Sequence, residues 1–208
     1  MSSLTGTTAV VTGANSGIGW NTALELARHG AEVTMAVRNT DKGDAAAAAL
    51  RESWPQAHVR VARLDLGSLT SVREFAESWA GPLGLLVNNA GLMMPRTRQQ
   101  TQDGFELQLG TNHLGHFALT GLLLPALLAA PSPRVVTVSS VARHWATPDI
   151  LSASQAAPYN ARATYGASKL ANLLFTSELQ RRADRHGGLL TSTAAHPGSS
   201  ATKPGQRS

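Results

Sequence analysis

The chain has 208 residues, of which 42% are hydrophobic, and no linker-like segment divides it, so we predict a single domain spanning 1–208. The formal net charge of +5 comes from scattered basic residues, without the basic run interleaved with aromatic residues that is typical of nucleic-acid binding. The lack of cysteine excludes a disulfide framework, a thiolate nucleophile and a cysteine metal site.

Membrane insertion and secretion are also not expected. The longest apolar stretch, 119–130, is interrupted by Thr120, Gly121 and Pro125 and is too short to span a bilayer. The first predicted strand begins within a few residues of Met1, which leaves no room for a signal peptide. We therefore predict a cytoplasmic protein whose mild positive charge attracts an anionic small molecule such as a dinucleotide.

Strand-like and helical segments alternate along the chain. Apolar runs predict strands at 8–11, 32–37, 58–64, 83–87, 134–139 and 189–195. Helices are predicted at 17–29, 40–54, 68–79, 102–128 and 161–185. This alternation implies a parallel sheet with right-handed crossovers, so we predict an α/β fold with a doubly wound parallel sheet of the Rossmann type.

The first predicted strand runs into a glycine-rich segment, TGANSGIG at 12–19, which leads into a helix. In this setting, glycines let the backbone approach a pyrophosphate, and the helix N-terminus faces its negative charge. The glycine spacing is G-x-x-x-G-x-G instead of the common G-x-G-x-x-G. Taken alone, the segment therefore leaves a flexible turn without a ligand as an alternative.

Two side chains suited to proton transfer lie in the last predicted helix. Tyr165 and Lys169 are four positions apart, which places them on the same helix face. A tyrosine donates a proton near neutral pH only if its pKa is lowered, and a fixed lysine charge nearby has that effect. The spacing therefore predicts an acid–base pair.

Five motifs in order resemble those of the short-chain dehydrogenase/reductase family. They are TGxxxGxG at 12–19, NNAG at 88–91, an asparagine at 112, two serines at 139–140 and YxxxK at 165–169. The resemblance extends from about residue 5 to Thr202. Within the family, the segments 111–117, 168–172 and 196–198 look most like the retinol dehydrogenase and WW-domain oxidoreductase branch.

The resemblance implies hydride transfer between a nicotinamide and a small-molecule alcohol or carbonyl substrate. Tyr165 would exchange the proton with the substrate oxygen, and Lys169 would lower the tyrosine pKa and bind the nicotinamide ribose. Ser140 would donate a hydrogen bond to the substrate oxygen, and Asn112 would hold a water that extends the proton path. We choose Ser140 over Ser139 because the family uses the second position, and strand alternation would direct the two side chains to opposite faces.

The resemblance also assigns the cofactor site. Arg38 follows the second strand, where folds selective for NAD place an acidic residue, so we expect NADP(H) to be preferred, with NAD(H) as the alternative. A solvated surface arginine is the other reading of Arg38, and Asp65 is also a common turn residue. The assigned cofactor residues are Gly13, Asn15, Ser16, Gly17, Ile18, Gly19, Arg38, Asn39, Asp65, Leu66, Asn89, Ala90, Gly91, Tyr165, Lys169, Pro197, Gly198 and Thr202.

Several residues receive a structural interpretation. Asn88 is expected to tie strands together. His113 and His116 lie three positions apart, but no third ligand accompanies them, so we predict helix packing and no metal. The segments 91–100 and 141–164 are read as irregular, and the second is either a substrate-contacting insertion or an ordinary surface loop.

The resemblance stops at Thr202, whereas family members continue through a substrate-covering segment to a seventh strand. We therefore expect six strands and a truncated substrate-binding part. Two hypotheses follow: an active NADP(H)-dependent oxidoreductase, or a truncated cofactor-binding protein with little or no activity. The helices at 102–128 and 161–185 are expected to mediate self-association into a homodimer or homotetramer.

Overall fold

A computed structural model describes residues 3–147 and 149–198. Six strands of these residues form one parallel sheet. They are β1 Thr8–Thr12, β2 Glu32–Val37, β3 Val59–Arg63, β4 Leu85–Asn88, β5 Arg134–Val138 and β6 Thr191–Ala195. Every predicted strand is present, with ends that shift by up to two residues, and the predicted doubly wound α/β fold is confirmed.

The strand order is β3-β2-β1-β4-β5-β6. The chain reverses its direction of winding between β1 and β4, and doubly wound sheets bind ligands beside the carboxyl ends of the strands at such a point. The carboxyl ends of all six strands lie at one edge of the sheet, because all pairs are parallel. The motifs that follow β1, β2, β4 and β5 therefore meet at this edge.

Helices cover both faces of the sheet. They are α1 Gly17–Arg28, α2 Thr40–Ser53, α3 Leu69–Glu77, α4 Leu107–Leu109, α5 Gly115–Leu122, α6 Leu124–Leu128, α7 Ile150–Gln155 and α8 Ala161–Arg185. A π-helical turn, Gly110–Leu114, joins α4 to α5, and a 3-10 helix, Val141–Trp145, follows β5. In the described part of the chain, no helix is long and apolar enough to cross a membrane.

The helix predicted at 102–128 is wrong in two respects. It begins only at Leu107, because residues 101–105 form a turn in which the Thr101 amide donates to the Phe105 carbonyl at 2.8 Å. It is also divided by the π-helical turn and by a break after Leu122, where Pro125 occupies the first turn of α6. Proline cannot donate to the preceding turn, so the helix restarts there.

The segment 141–164 is also more regular than predicted. It contains the 3-10 helix and α7, and both pack against α8. The side chain of Asn160 caps α8 by accepting a hydrogen bond from the Ala163 amide at 3.0 Å.

Two hydrophobic clusters hold the layers together. Val10 belongs to one cluster, and Ala9 and Val11 belong to the other, as expected when successive strand residues face opposite sides. All three are fully buried. The central strands are therefore fixed from both sides, which makes the edge that carries the motifs a rigid platform.

Candidate active site

The glycine-rich turn lies directly after β1. Gly13 has a φ of +65°, a conformation that L side chains rarely adopt. A Cβ at Gly19 would lie 2.5 Å from both the Gly13 carbonyl oxygen and Asn89 Nδ2, so only glycine fits. The turn leads into the N-terminus of α1, whose free amides favour an anion.

Thr12 joins this turn to the segment after β4. Its Oγ1 accepts hydrogen bonds from the amides of Asn89 and Ala90, each at 2.9 Å. Asn89 Nδ2 donates in return to the Thr12 carbonyl at 2.7 Å. The two motifs are thus one hydrogen-bonded unit at the point where the sheet changes its direction of winding.

The predicted proton-transfer groups lie together at the carboxyl end of β5. The Lys169 ammonium nitrogen is 5.8 Å from the centre of the Tyr165 ring and donates to the Val138 carbonyl at 3.0 Å. The Ser140 hydroxyl lies close enough to Tyr165 to lower the pKa of its phenol. Ser139 instead donates to the Lys169 carbonyl at 2.8 Å. Both serines therefore contact α8, because β5 ends at Val138 and strand alternation does not extend to them.

Burial changes the acidity of both groups. It raises the pKa of Tyr165, and the nearby Ser140 hydroxyl opposes this effect. Burial also lowers the pKa of Lys169 to about 8. The net shift of the tyrosine is thus opposite to the lowering that we expected from Lys169, since the cost of burying a phenolate outweighs the stabilisation available at this separation.

Asn112 lies in the π-helical turn, and its side chain is hydrogen-bonded to the main chain of Leu92 and to Ser168, the residue before Lys169. Its Oδ1 accepts from the Leu92 amide at 2.9 Å, and its Nδ2 donates to the Leu92 carbonyl at 3.0 Å and to Ser168 Oγ at 3.1 Å. A Cβ built on Gly91 would lie 3.2 Å from Asn112 Oδ1 and 3.7 Å from Lys169 Nζ. Asn112, Gly91 and Lys169 are therefore neighbours, while the water-holding role of Asn112 stays a prediction.

Predicted adenosine-side residues follow β2 and β3 at the same edge. Arg38 is exposed directly after β2, and Asn39 caps α2 by accepting from the Lys42 amide at 2.8 Å. Asp65 Oδ1 accepts from the Gly67 amide at 2.9 Å, which also makes it a turn residue, and Leu66 is buried in the core. The Arg38 guanidinium is thus free to meet a ligand, whereas Asn39 and Asp65 already have structural roles.

The remaining predicted cofactor residues lie in the turn or after β6. Asn15, Ser16, Gly17 and Ile18 form the glycine-rich turn and the start of α1. Pro197 and Gly198 are exposed directly after β6. Thr202 and the tail that follows it lie outside the described residues.

Three polar residues with a structural interpretation have specific partners. Asn88 donates to Thr120 Oγ1 on α5 at 3.1 Å, so it ties a strand to a helix and not to another strand. His113 is hydrogen-bonded to Asn172 Oδ1 at 3.1 Å. His116 is hydrogen-bonded to Thr12 at the end of β1. Among residues 3–147 and 149–198, no group of three or more metal-binding side chains occurs.

Comparison with known proteins decides the family. A family model described as short chain dehydrogenase matches residues 7–207. The chain belongs to the short-chain dehydrogenase family. Human retinol dehydrogenase 13 is 45% identical over 205 residues, which cover 97% of this chain and 61% of that protein. The chain thus spans about three fifths of the length of this curated relative.

Solved structures of similar proteins share the fold. An uncharacterized protein from Mycobacterium paratuberculosis is 51% identical, with a TM-score of 0.87, covering 96% of this chain and 71% of that chain. The Pseudomonas aeruginosa RhlG/NADP active-site complex is 26% identical, with a TM-score of 0.76, covering 97% of this chain and 75% of that chain. The RhlG structure therefore shows NADP in the active site of a protein with a similar fold.

Segment 91–100 contacts Asn112 through Leu92, and segment 141–164 contacts Tyr165 through Trp145, so we call these two segments the mouth of this short-chain dehydrogenase site. One polar network there was not predicted from the sequence. Tyr159 donates to Glu106 Oε1 at 2.7 Å and accepts from Gln108 Nε2 at 2.9 Å. Gln108 Oε1 in turn accepts from the Met94 amide at 2.7 Å. The network joins the segment 91–100 to the segment 141–164. The one available signal was that Tyr159 is one of only 2 tyrosines in the chain.

Proposed function

We propose that this protein is an NADP(H)-dependent oxidoreductase that transfers a hydride between nicotinamide and an alcohol or carbonyl substrate, with Tyr165 as the acid or base. The observation that carries the proposal is that one sheet edge brings together the Thr12-centred turn and the Ser140, Tyr165 and Lys169 group. NADPH consumption on a carbonyl substrate tests it. NADPH binding without turnover on any carbonyl would contradict it and favour a cofactor-binding protein without activity.

The turn fits a dinucleotide. There is no room for a Cβ at Gly19, and the backbone after β1 packs against Asn89, so the turn surface is formed by main chain that a pyrophosphate can approach. When bound, the cofactor would supply or accept the hydride. Asn89, Ala90 and Gly91 would border it on the β4 side.

Proton transfer is the task of the chain itself. Tyr165 is half-buried and lies beside Ser140, so both hydroxyls can address one substrate oxygen. Protonated Lys169 would stabilise the negative charge that develops on the tyrosine oxygen. Because burial lowers the pKa of Lys169 to about 8, this support should fade as the pH rises above that value.

We expect Arg38 to select NADP(H). Its exposed guanidinium follows β2 with no acidic residue beside it, which suits a 2′-phosphate. Arg38→Ala should weaken NADPH binding by about 1.5–3 kcal/mol, or roughly 10- to 150-fold, and leave NADH binding unchanged. Fluorescence titration of both cofactors checks this, with Arg185→Ala at the exposed end of α8 as the control. Equal affinities of the wild type for both cofactors would contradict the selectivity.

We expect an apolar substrate, because apolar side chains are exposed in the two segments that form the mouth of the site. Met93, Met94, Trp145 and Leu151 belong to the segments around the mouth and are exposed by 37–64%, and the Trp145 ring centre is 6.4 Å from that of Tyr165. Since the relative above is named a retinol dehydrogenase, we include long-chain apolar aldehydes and retinoids in this proposal. Reduction of an apolar aldehyde should have a lower KM than reduction of a small polar ketone.

We also propose self-association through α5 and α8. Phe117 and Leu174 are more than half exposed on these helices, and the Phe117 ring meets Phe175 edge-on at 5.6 Å. A second copy would cover this apolar surface. Phe117→Arg should reduce the mass measured by light scattering to that of a monomer, while Leu151→Arg, which is equally exposed on α7, should not. A monomeric wild type at working concentration would remove the claim.

A further inference from the structure

His116 lies between the cofactor turn and the π-helical turn of Asn112. It is buried, and its Nε2 is 2.8 Å from Thr12 Oγ1. Its Nδ1 is 3.0 Å from the main-chain carbonyl oxygen of Asn112. One side chain therefore bonds to both halves of the candidate active site.

The partners fix which nitrogen carries the hydrogen. A carbonyl oxygen only accepts, so Nδ1 of His116 must donate to Asn112. Thr12 Oγ1 already accepts from the Asn89 and Ala90 amides, and its own hydrogen has two acceptors within reach, Nε2 at 2.8 Å and the Val87 carbonyl oxygen at 3.3 Å. The shorter contact, to Nε2, is made when the hydrogen of the ring is on Nδ1. Burial lowers the pKa of His116 to about 3, and the nearby charges of Lys169 and His113 act in the same direction. The ring is therefore neutral, with its hydrogen on Nδ1.

The hydrogen bonds continue from Asn112 to the catalytic helix. Asn112 Nδ2 donates to Ser168 Oγ at 3.1 Å, and Ser168 Oγ donates to the Tyr165 carbonyl at 2.8 Å. A continuous path thus runs from the amides after β4 through Thr12, His116, Asn112 and Ser168 to the backbone of Tyr165. It passes through a π-helical turn, a feature that is frequent at functional sites.

We propose that His116 is a positioning residue that couples the dinucleotide turn to the placement of Asn112 and Tyr165. The inference rests on the proposed function. Its Nε2 side holds the Thr12 hydroxyl that organises the turn, and its Nδ1 side holds the carbonyl of Asn112. The two bonds serve different steps, so removing them separately should have different consequences.

Two substitutions separate the bonds. In His116→Asn the amide nitrogen is placed near Nδ1, so it can still donate to Asn112, but Thr12 loses its 2.8 Å contact with Nε2 and keeps only the longer one to the Val87 carbonyl at 3.3 Å. In His116→Gln the amide oxygen can reach the position of Nε2 and accept from Thr12, but the donor to Asn112 is lost. Each variant thus lacks one buried hydrogen bond, a loss that corresponds to roughly three- to tenfold in an equilibrium or rate constant.

We expect a split between binding and turnover. The His116→Asn variant should bind NADPH roughly three- to tenfold more weakly and keep kcat, whereas His116→Gln should keep NADPH affinity and lose kcat by a similar factor. Thr120→Val is the control on the same helix, because it removes a buried hydroxyl that donates to the His116 carbonyl at 2.8 Å and accepts from Asn88 Nδ2 at 3.1 Å, and leaves both ring nitrogens of His116 with their partners. This variant should lower the melting temperature without the split.

A purely structural role of His116 would not separate NADPH affinity from kcat. Both His116 variants would then lower the melting temperature and change affinity and kcat equally or not at all, and that result would overturn the proposal. Long-range ¹H–¹⁵N NMR of the imidazole gives a readout that needs no turnover: it should show hydrogen on Nδ1, and hydrogen on Nε2 would overturn the proposal. If the wild type binds NADPH but reduces no carbonyl, the proposed function fails, and the tautomer and the NADPH affinities of the two variants still test His116.

Discussion

Replacing Tyr165 by phenylalanine should reduce kcat by about 10²–10⁴, the usual contribution of a positioned general acid, while the affinity for NADPH stays within about twofold of the wild type. The substitution removes one hydroxyl and keeps the ring that packs near Trp145. Ser140 would still bind the substrate oxygen, but no side chain would remain to donate the proton to it. Single-turnover kinetics with saturating NADPH measure this effect.

Tyr159→Phe is the matched control, because Tyr159 is the other tyrosine in the chain. Its hydroxyl bonds Glu106 and Gln108 at the mouth of the site, so its loss should raise the KM for substrate and lower the melting temperature while kcat stays close to that of the wild type. A Tyr165→Phe protein that retained most of its turnover would show that another group is the acid.

The second large effect is expected at Gly19. A methyl group there would lie 2.5 Å from the Gly13 carbonyl oxygen, which is backbone and has little freedom to move, and equally close to Asn89 Nδ2. Gly19→Ala should therefore displace the turn and weaken NADPH binding by about 1–3 kcal/mol, or roughly 5- to 150-fold. Isothermal titration calorimetry with NADPH measures the loss.

Gly121→Ala provides the comparison for that experiment. A Cβ at Gly121 meets nothing within 4 Å, and alanine is the better helix former, so this variant should bind NADPH normally and be slightly more stable. If Gly19→Ala bound NADPH as tightly as Gly121→Ala, the turn would not be the pyrophosphate site.

The sheet could be predicted from the sequence because its strands are short apolar runs separated by amphipathic helices. Strand β2 and helix α8 have the predicted bounds, whereas the helix expected at 102–128 begins only at Leu107. Its first residues are held in a turn by tertiary hydrogen bonds, such as that from the Gln102 amide to the Gly67 carbonyl. Such contacts join distant parts of the chain, and a local pattern contains no sign of them.

The same limit applies to the site. Spacing predicted the pair of Tyr165 and Lys169, and the family resemblance added Ser140 and Asn112. The contact between His116 and Thr12 was not predictable, because the two residues are 104 positions apart in the sequence. The direction of the Tyr165 pKa shift was also missed, since it depends on burial of the phenol.

The most direct test of hydride transfer with Tyr165 as the acid uses NADPH in which both hydrogens at C4 of the nicotinamide are replaced by deuterium. The wild type, NADPH and an apolar aldehyde are incubated, and the alcohol product is analysed by mass spectrometry. We predict one deuterium per alcohol formed with the wild type, and product formation reduced by about 10²–10⁴ with Tyr165→Phe. Alcohol without deuterium, no alcohol from any carbonyl, or equal product from both proteins would contradict the account.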